Sequence, residues 1–386
     1  MSARQAKKVL VLGSTGSVGR QALEVIRERG FELTGISADS NIDLLEDQIR
    51  LFHPRFCAVR NEEKAPLLAA AVRDTDTKVL SGEEGILAMC RECPADIAEN
   101  SILGSAGIRP TLALIERGVN IAMANKEPIV AAGEIILAAA KKKGVQILPV
   151  DSEHSAIFQC LSGSFNSIKY VKELVLTASG GPFFGKDRSF LEAVTPKMAV
   201  AHPVWRMGRK ISVDSATLLN KGLELIEAVR LFSVPADNVR ITVHRQSIVH
   251  SMVTFVDGST MAQLGHPDMR HCIQFALTWP ERTDGLCRKM DFSQSYTLTF
   301  EPMDDETFPL VSVARTAARR GGTSTTVLNA ANEAAVALFL KGAIRFTDIF
   351  DLVSEAVANH PTRHTMDPES ILALDAETKA HIFERF

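Results

Sequence analysis

Two short stretches hold most of the side chains that could do chemistry: Asp151-Ser152-Glu153, and the run from Ser215 through Asn220 and Lys221 to Glu224. Carboxylates without Cys or His partners offer hard oxygen ligands, which suit Mg²⁺ or Mn²⁺ with water or substrate oxygens completing the shell. On a helix, residues three and four apart share a side, so Asn220, Lys221 and Glu224 project together. A hydroxyl, an amide, an ammonium and carboxylates converging there would serve a phosphorylated substrate beside a metal. Glu227, one turn beyond Glu224, competes for the ligand role. The plainer alternatives are helix capping by Asp151 or Ser152 and a solvated Glu/Lys pair on the helix face.

The elements that must position these groups can be read around them. VQILPV (145–150) reads as a strand, and alternation along an extended chain would put Asp151 and Glu153 on one side and Ser152 on the other. Ser215 reads as the N-cap of a helix whose apolar stripe is Leu218, Leu225 and Val229. Just upstream, His202-Pro203 and Gly208 bracket Trp205, one of two tryptophans, in a segment too broken for regular structure. Ser179 with Gly180 and Gly181 follows the strand KELVLTA, where a hydroxyl and exposed N–H groups could meet a phosphate.

A second kind of site opens the chain. Strand VLVLG runs into Gly13-Ser-Thr15-Gly16-Ser17-Val18-Gly19 and then a helix near Arg20. Glycines allow a sharp turn and close approach of a pyrophosphate, which the helix N-terminus stabilises. Asp39 lies 20 residues after Gly19, at the end of the second strand, where a carboxylate bonds an adenosine ribose. Asn125-Lys126-Glu127 ends the run NIAMA, past the carboxyl end of a strand and hence facing the ligand crevice.

Residues 1–150 alternate short apolar runs (9–13, 32–37, 56–59, 101–104, 120–124, 145–150) with helical patterns, which predicts an α/β, Rossmann-like parallel sheet. Residues 151–285 read as a central α+β domain carrying the loop at 202–209, and Asp257-Gly258 between alternating runs signals a hairpin. Residues 286–305 look like a linker, and 306–386 read as a C-terminal bundle of four helices broken at Gly321-Gly322, Gly342 and Pro361. At 386 residues the chain can bury two or three cores. A charged fraction of 23% and a formal net charge of −3 give no field that would draw nucleic acid or an anionic membrane. No apolar run approaches a membrane span and the first ten residues lack a signal-peptide core, so the expected location is the cytoplasm. Six scattered cysteines fit reduced thiols. Cys90 and Cys93 sit at a helix C-terminus, which disfavours a thiolate.

Together the motifs LGSTGSVG, ANKE, VDSEHSA, LTASGGPF, HPVWRMGRKISVDSATLLNKGLE, QSIVHSMV, AQLGHPDMR and VLNAANEAAV closely resemble the 1-deoxy-D-xylulose 5-phosphate reductoisomerases, the NADPH-dependent enzymes of the non-mevalonate isoprenoid pathway. The resemblance implies a homodimer using NADPH and Mg²⁺ or Mn²⁺ to rearrange and reduce a sugar phosphate to 2-C-methyl-D-erythritol 4-phosphate. It alone makes residues 151–285 the catalytic and dimerisation domain and their loop a flexible loop. It places metal ligands on Asp151, Glu153 and Glu224, choosing Glu224 over Glu227. Substrate contacts fall on Lys126, Ser152, Ser179, His202, Ser215, Asn220, Lys221 and Glu224, with Trp205 as the aromatic lid of a closing loop. Lys126, Glu153, His202 and Trp205 form the implied catalytic set. Cofactor contacts fall on Thr15, Gly16, Ser17, Val18, Asn41, Asn125, Glu127 and Gly208. Val204, Arg206, Pro128, Arg245 and the pair Asp39-Ser40 depart from the family pattern, and at the last of these the family carries Gly followed by Lys or Arg. A different sugar-phosphate oxidoreductase on the same scaffold, or a cofactor-binding paralogue without turnover, are the competing readings.

Overall fold

The computed structural model describes residues 6–163, 168–201 and 208–386. The chain divides into two compact units. The first comprises residues up to Asn125, Ile136–Asp151 and Asp268–Cys287, and the second Lys126–Ile135, Ser152–Pro267 and Arg288–Phe386.

The first unit is built on a parallel sheet of seven strands: β1 (Lys8–Leu12), β2 (Glu32–Ala38), β3 (Phe56–Val59), β4 (Lys78–Ser81), β5 (Ile97–Asn100), β6 (Asn120–Met123) and β7 (Ile147–Pro149). Val9 through Leu12 are fully buried, because a central parallel strand is covered on both faces and so reads as an unbroken apolar run. The strand order is β4-β3-β2-β1-β5-β6-β7. The order reverses between β1 and β5, and ligands of such sheets bind outside the carboxyl ends of the strands at that point. The chain leaves β1 there through Gly13 into helix Ser17–Arg29.

Two features of this sheet depart from the sequence expectation. The strand expected at 101–104 lies at 97–100, and a 3₁₀ turn begins at Gly104 instead. Buried Glu99 and Asn100 broke the apolar pattern that would have marked it. The short edge strand β4 was not expected at all, its two ends being exposed.

The second unit holds a mixed sheet in the order β11-β10-β8-β9-β12, formed by β8 (Val171–Ala178), β9 (Val239–Val243), β10 (Val249–Phe255), β11 (Thr260–Leu264) and β12 (Glu301–Pro302). β10 and β11 pair antiparallel across Asp257-Gly258, as the hairpin signal requires. Helices Leu310–Arg320, Ser324–Lys341, Asp348–Asn359 and Pro368–Phe383 follow. Phe346 packs edge-on against Phe339 and Phe350, with ring centroids 5.5 and 5.6 Å away. Helix Glu127–Lys143 is kinked at Ala132 (φ −131°, ψ 19°). Gly133 follows the kink at a point where a Cβ would lie 2.6 Å from Cδ of Arg230.

Candidate active site

Helix Leu219–Phe232 carries Asn220, Lys221 and Glu224 on one side, as their spacing requires. It does not begin at Ser215. A shorter helix, Arg209–Ala216, comes first and contains Ser215 in its last turn, and Leu218 in the left-handed region (φ 58°) separates the two. The expected capping role of Ser215 is therefore replaced by a break that no glycine announces. Ser152 and Glu153 likewise open helix Ser152–Leu161 rather than extending β7, so a helical turn brings the acidic groups together instead of strand alternation.

Within the second unit these groups meet. Lys126 Nζ donates to Asn220 Oδ1 at 3.0 Å and Glu224 Oε1 at 2.8 Å. Lys221 Nζ bonds both Glu153 and Glu224, Asn220 Nδ2 bonds Glu224, and Ser152 Oγ bonds Glu153. Glu224 is 1% exposed, and Lys126 and Lys221 5% each. Burial opposes the Lys221 charge, but Glu153 and Glu224 outweigh it and hold the ammonium above its usual range. Asp151, one peptide bond before Ser152, adds a third carboxylate, and one oxygen from each of Asp151, Glu153 and Glu224 lies within 4.8 Å of the others. Three hard oxygen donors at that spacing fit Mg²⁺ or Mn²⁺.

Sequence reasoning gave no role to His154. Its Nε2 lies 2.9 Å from the Glu224 carbonyl oxygen, which can only accept, so Nε2 carries the hydrogen. Its Nδ1 lies 3.3 Å from Glu227 Oε2. Asp151, His154 and Glu227 form a second set of closely spaced donors. Glu227 thus faces the imidazole, whereas the all-oxygen set is the one the two lysines reach. Lys210 was also missed. It bonds the Glu127 carboxylate and, at 2.8 Å, Asp214, which in turn accepts from Asn332 at 2.8 Å. Burial pushes the Glu127 carboxyl up, but Lys210 outweighs it and holds the acid below its usual range. Gly208 is the N-cap of the helix that carries Lys210.

The Ser179 turn and Ser215 come together. Gly180 and Gly181 both have positive φ (86° and 64°), and a Cβ on Gly181 would lie 2.5 Å from the Ser215 carbonyl oxygen. His202 and Trp205 lie outside the described residues, as do Val204 and Arg206.

In the first unit, Gly13 (φ 88°) turns the chain while its N–H donates to Ser37 O at 3.0 Å. Gly19 sits where a Cβ would be 2.3 Å from Gly13 O, so only glycine allows helix Ser17–Arg29 to start this close. Thr15, Gly16, Ser17 and Val18 form the open start of that helix, where Gly16 is the N-cap and no side chain caps the amides. Such uncapped N–H groups suit a pyrophosphate. Asn41 caps helix Ile42–Phe52 by accepting from Leu44 N–H at 3.2 Å. Asn125 Nδ2 donates to Ile102 O at 2.5 Å.

Three family models cover most of the chain: 1-deoxy-D-xylulose 5-phosphate reductoisomerase over residues 9–133, its C-terminal domain over 147–232, and the DXP reductoisomerase C-terminal domain over 264–381. The 1-deoxy-D-xylulose 5-phosphate reductoisomerase of Caldanaerobacter subterraneus subsp. tengcongensis is 47% identical over 384 residues, covering 98% of this chain and 99% of that protein. The chain belongs to the 1-deoxy-D-xylulose 5-phosphate reductoisomerase family. The reductoisomerase of Acetivibrio thermocellus is 48% identical over 368 residues, covering 95% of this chain and 96% of the relative. Among solved structures, the Zymomonas mobilis reductoisomerase in complex with NADPH is 38% identical with a TM-score of 0.90, covering 98% of both chains. A reductoisomerase in complex with NADPH, fosmidomycin and magnesium is 37% identical with a TM-score of 0.93, again over 98% of both. Membership spans both units, because the family models match each of them. Among the described residues no helix is long and apolar enough to cross a membrane.

Proposed function

We propose that this chain converts 1-deoxy-D-xylulose 5-phosphate to 2-C-methyl-D-erythritol 4-phosphate in the isoprenoid pathway, using NADPH and Mg²⁺ or Mn²⁺. The observation that carries this reading is the buried convergence of Lys126, Lys221 and Glu224 with Glu153 next to Asp151. Held by Asp151, Glu153 and Glu224, the metal supplies Lewis acidity towards substrate oxygens, and the nicotinamide supplies the hydride. Lys126 holds a proton at Nζ, 2.8 Å from Oε1 of the metal-ligating Glu224, and donates to a reacting hydroxyl. Ser152 orients Glu153 through its hydroxyl. Ser179, Ser215, Asn220 and Lys221 hold the phosphate, whose binding energy helps to draw the segment with His202 and Trp205 over the substrate and exclude water. Thr15, Gly16, Ser17 and Val18 cradle the pyrophosphate, while Asn41, Asn125, Glu127 and Gly208 line the rest of the cofactor's path. The enzyme acts as a cytoplasmic homodimer. In support of the dimer, β11 is an edge strand that leaves Met261 and Leu264 exposed.

The test is oxidation of NADPH that depends on 1-deoxy-D-xylulose 5-phosphate in the presence of Mn²⁺. Turnover supports the reading. Turnover with a different sugar phosphate alone would make the chain another oxidoreductase on this scaffold, and dinucleotide binding without turnover would make it a non-catalytic paralogue.

A further inference from the structure

We propose that Arg60 and Lys64, on the turn that follows β3, recognise the 2′-phosphate of the dinucleotide and set this chain's preference for it over a free 2′-hydroxyl. The inference rests on the dinucleotide reading of the first unit. It begins from a conflict. A carboxylate just past the second strand of such a sheet bonds a ribose 2′-hydroxyl and repels a 2′-phosphate, and Asp39 stands there, one residue after β2 ends at Ala38.

The structure answers the conflict from the neighbouring strand. Asp39 is an exposed side chain, and Oδ1 lies 3.6 Å from Nη1 of Arg60, which is also more than half exposed. An exposed pair of this kind is weak and exchanges readily. The two turns are strapped together through their backbones, with Arg60 N–H donating to Ala38 O at 3.0 Å and Asn61 N–H to Asp39 O at 2.8 Å. Lys64 Nζ crosses from the same turn to the carbonyl oxygen of Ser40 at 3.0 Å. Both cations therefore stand beside the Asp39-Ser40 peptide, Lys64 through a side-chain hydrogen bond to it and Arg60 through its backbone bond to Ala38 and its exposed pairing with Asp39. Beside them Asn41 begins helix Ile42–Phe52, whose N-terminus also favours an anion.

Asp39 is one negative group facing two positive ones. Glu62 turns towards Gly82, where a Cβ would meet its Oε1 at 2.7 Å, while Glu63 is exposed on the turn of Lys64 and Asp43 is an exposed acid in the first turn of helix Ile42–Phe52. A phosphate monoester carries roughly 1.5 to 2 negative charges at neutral pH and presents three acceptor oxygens. It can take Arg60 in a two-pronged contact that Asp39, held at 3.6 Å, does not make. Displaced from Arg60, the Asp39 side chain rotates into water. Arg60 is thus given both a resting partner and a stronger one.

The experiment measures dissociation constants of NADPH and NADH for the full chain by fluorescence titration, with the unsubstituted protein beside Arg60→Ala, Lys64→Ala, the double variant and Asp39→Asn. Each single cation removal should weaken NADPH about tenfold, the size of one lost charge-assisted hydrogen bond, and leave NADH within about twofold. The double variant should lose most of the discrimination and the steep salt dependence of NADPH binding. Asp39→Asn should strengthen NADPH and weaken NADH. An unchanged NADPH-to-NADH ratio in the double variant would overturn the proposal, because the phosphate would then be read elsewhere. Failure of the unsubstituted chain to bind either dinucleotide would overturn the dinucleotide reading itself, and the proposal with it.

Discussion

Thr326 donates its hydroxyl to the carbonyl oxygen of Ala131 at 2.8 Å, at the point where helix Glu127–Lys143 leaves helical geometry. A kinked helix frees a backbone acceptor, and a buried acceptor left without a donor costs about 1–3 kcal/mol. Thr326→Val keeps the shape and removes the donor. The free energy of denaturant unfolding should fall by that amount with an unchanged slope, and Lys126, six residues before the kink, should lose part of its alignment. A variant as stable as the parent would show that the carbonyl finds another donor.

Glu224 is the second target. Glu224→Gln keeps the volume and the hydrogen-bonding oxygen but removes the charge that Lys126 and Lys221 both face. Turnover should fall by at least roughly a hundredfold, with NADPH affinity within about twofold, since the Gly13 turn belongs to another segment. Exhaustive chelation of the unsubstituted enzyme should give the same phenotype and be reversed by Mn²⁺. Full activity after chelation would remove the metal from the mechanism.

His154 supports Glu224 from behind, since its ring hydrogen bonds the Glu224 carbonyl while the other nitrogen faces Glu227. Groups that orient a metal ligand typically change metal affinity by about 10- to 100-fold when removed. His154→Ala should weaken Mn²⁺ binding by that factor, as measured by direct titration of the protein without substrate, and leave dinucleotide binding unmoved. Equal Mn²⁺ affinities would reduce His154 to a packing role against Phe232, on which its ring stacks.

The stability of the first unit should carry a pH dependence from Glu99. Burial pushes this carboxyl from 4.5 up to about 8, with a hydrogen bond to Ser101 opposing it. Ser101 Oγ has one hydrogen and two acceptors within reach, Leu12 O at 2.9 Å and Glu99 Oε2 at 3.2 Å. A protonated Glu99 resolves the count by donating to Ser101. The folded state keeps this proton where the unfolded chain has released it. Its contribution is therefore complete below pH 4.5 and is lost as pH rises through about 8. Relative to Glu99→Gln, the parent should lose up to roughly 1.4 kcal/mol per pH unit across that window, read from denaturation midpoints at a series of pH values. Parallel curves for the two proteins would mean that Glu99 is ionised in the folded state.

How much of this could be read from the sequence depended on how local each signal was. The Gly13-to-Gly19 turn and the Asp257-Gly258 hairpin declare themselves within a few residues, because backbone geometry there demands particular residue types. That Asn220, Lys221 and Glu224 share one side was legible from helical spacing, but choosing Glu224 over Glu227 took the family resemblance. The break at Leu218 was not, since a leucine with positive φ is held by packing that no local rule encodes. β5 was hidden by Glu99 and Asn100, polar residues in a fully buried strand. Lys210 reaching Glu127 and His154 reaching Glu227 are pairings across 83 and 73 residues of chain, visible only once the helices are placed.

The grouping of Asp268–Cys287 with the first unit bears on the order in which the protein can be completed. All seven strands of the parallel sheet have been synthesised by residue 149, yet helix Arg270–Thr278, which packs on helix Ser17–Arg29, has not. Arg270 bonds Glu24 at 3.2 Å and Lys7 Nζ reaches Leu277 O at 2.8 Å, so even the residue that leads into β1 is anchored by that distant helix. A ribosome must deliver more than a hundred residues of the second unit before the first can close its face. The nascent sheet has to wait, one covering helix short, until residue 278 has been made.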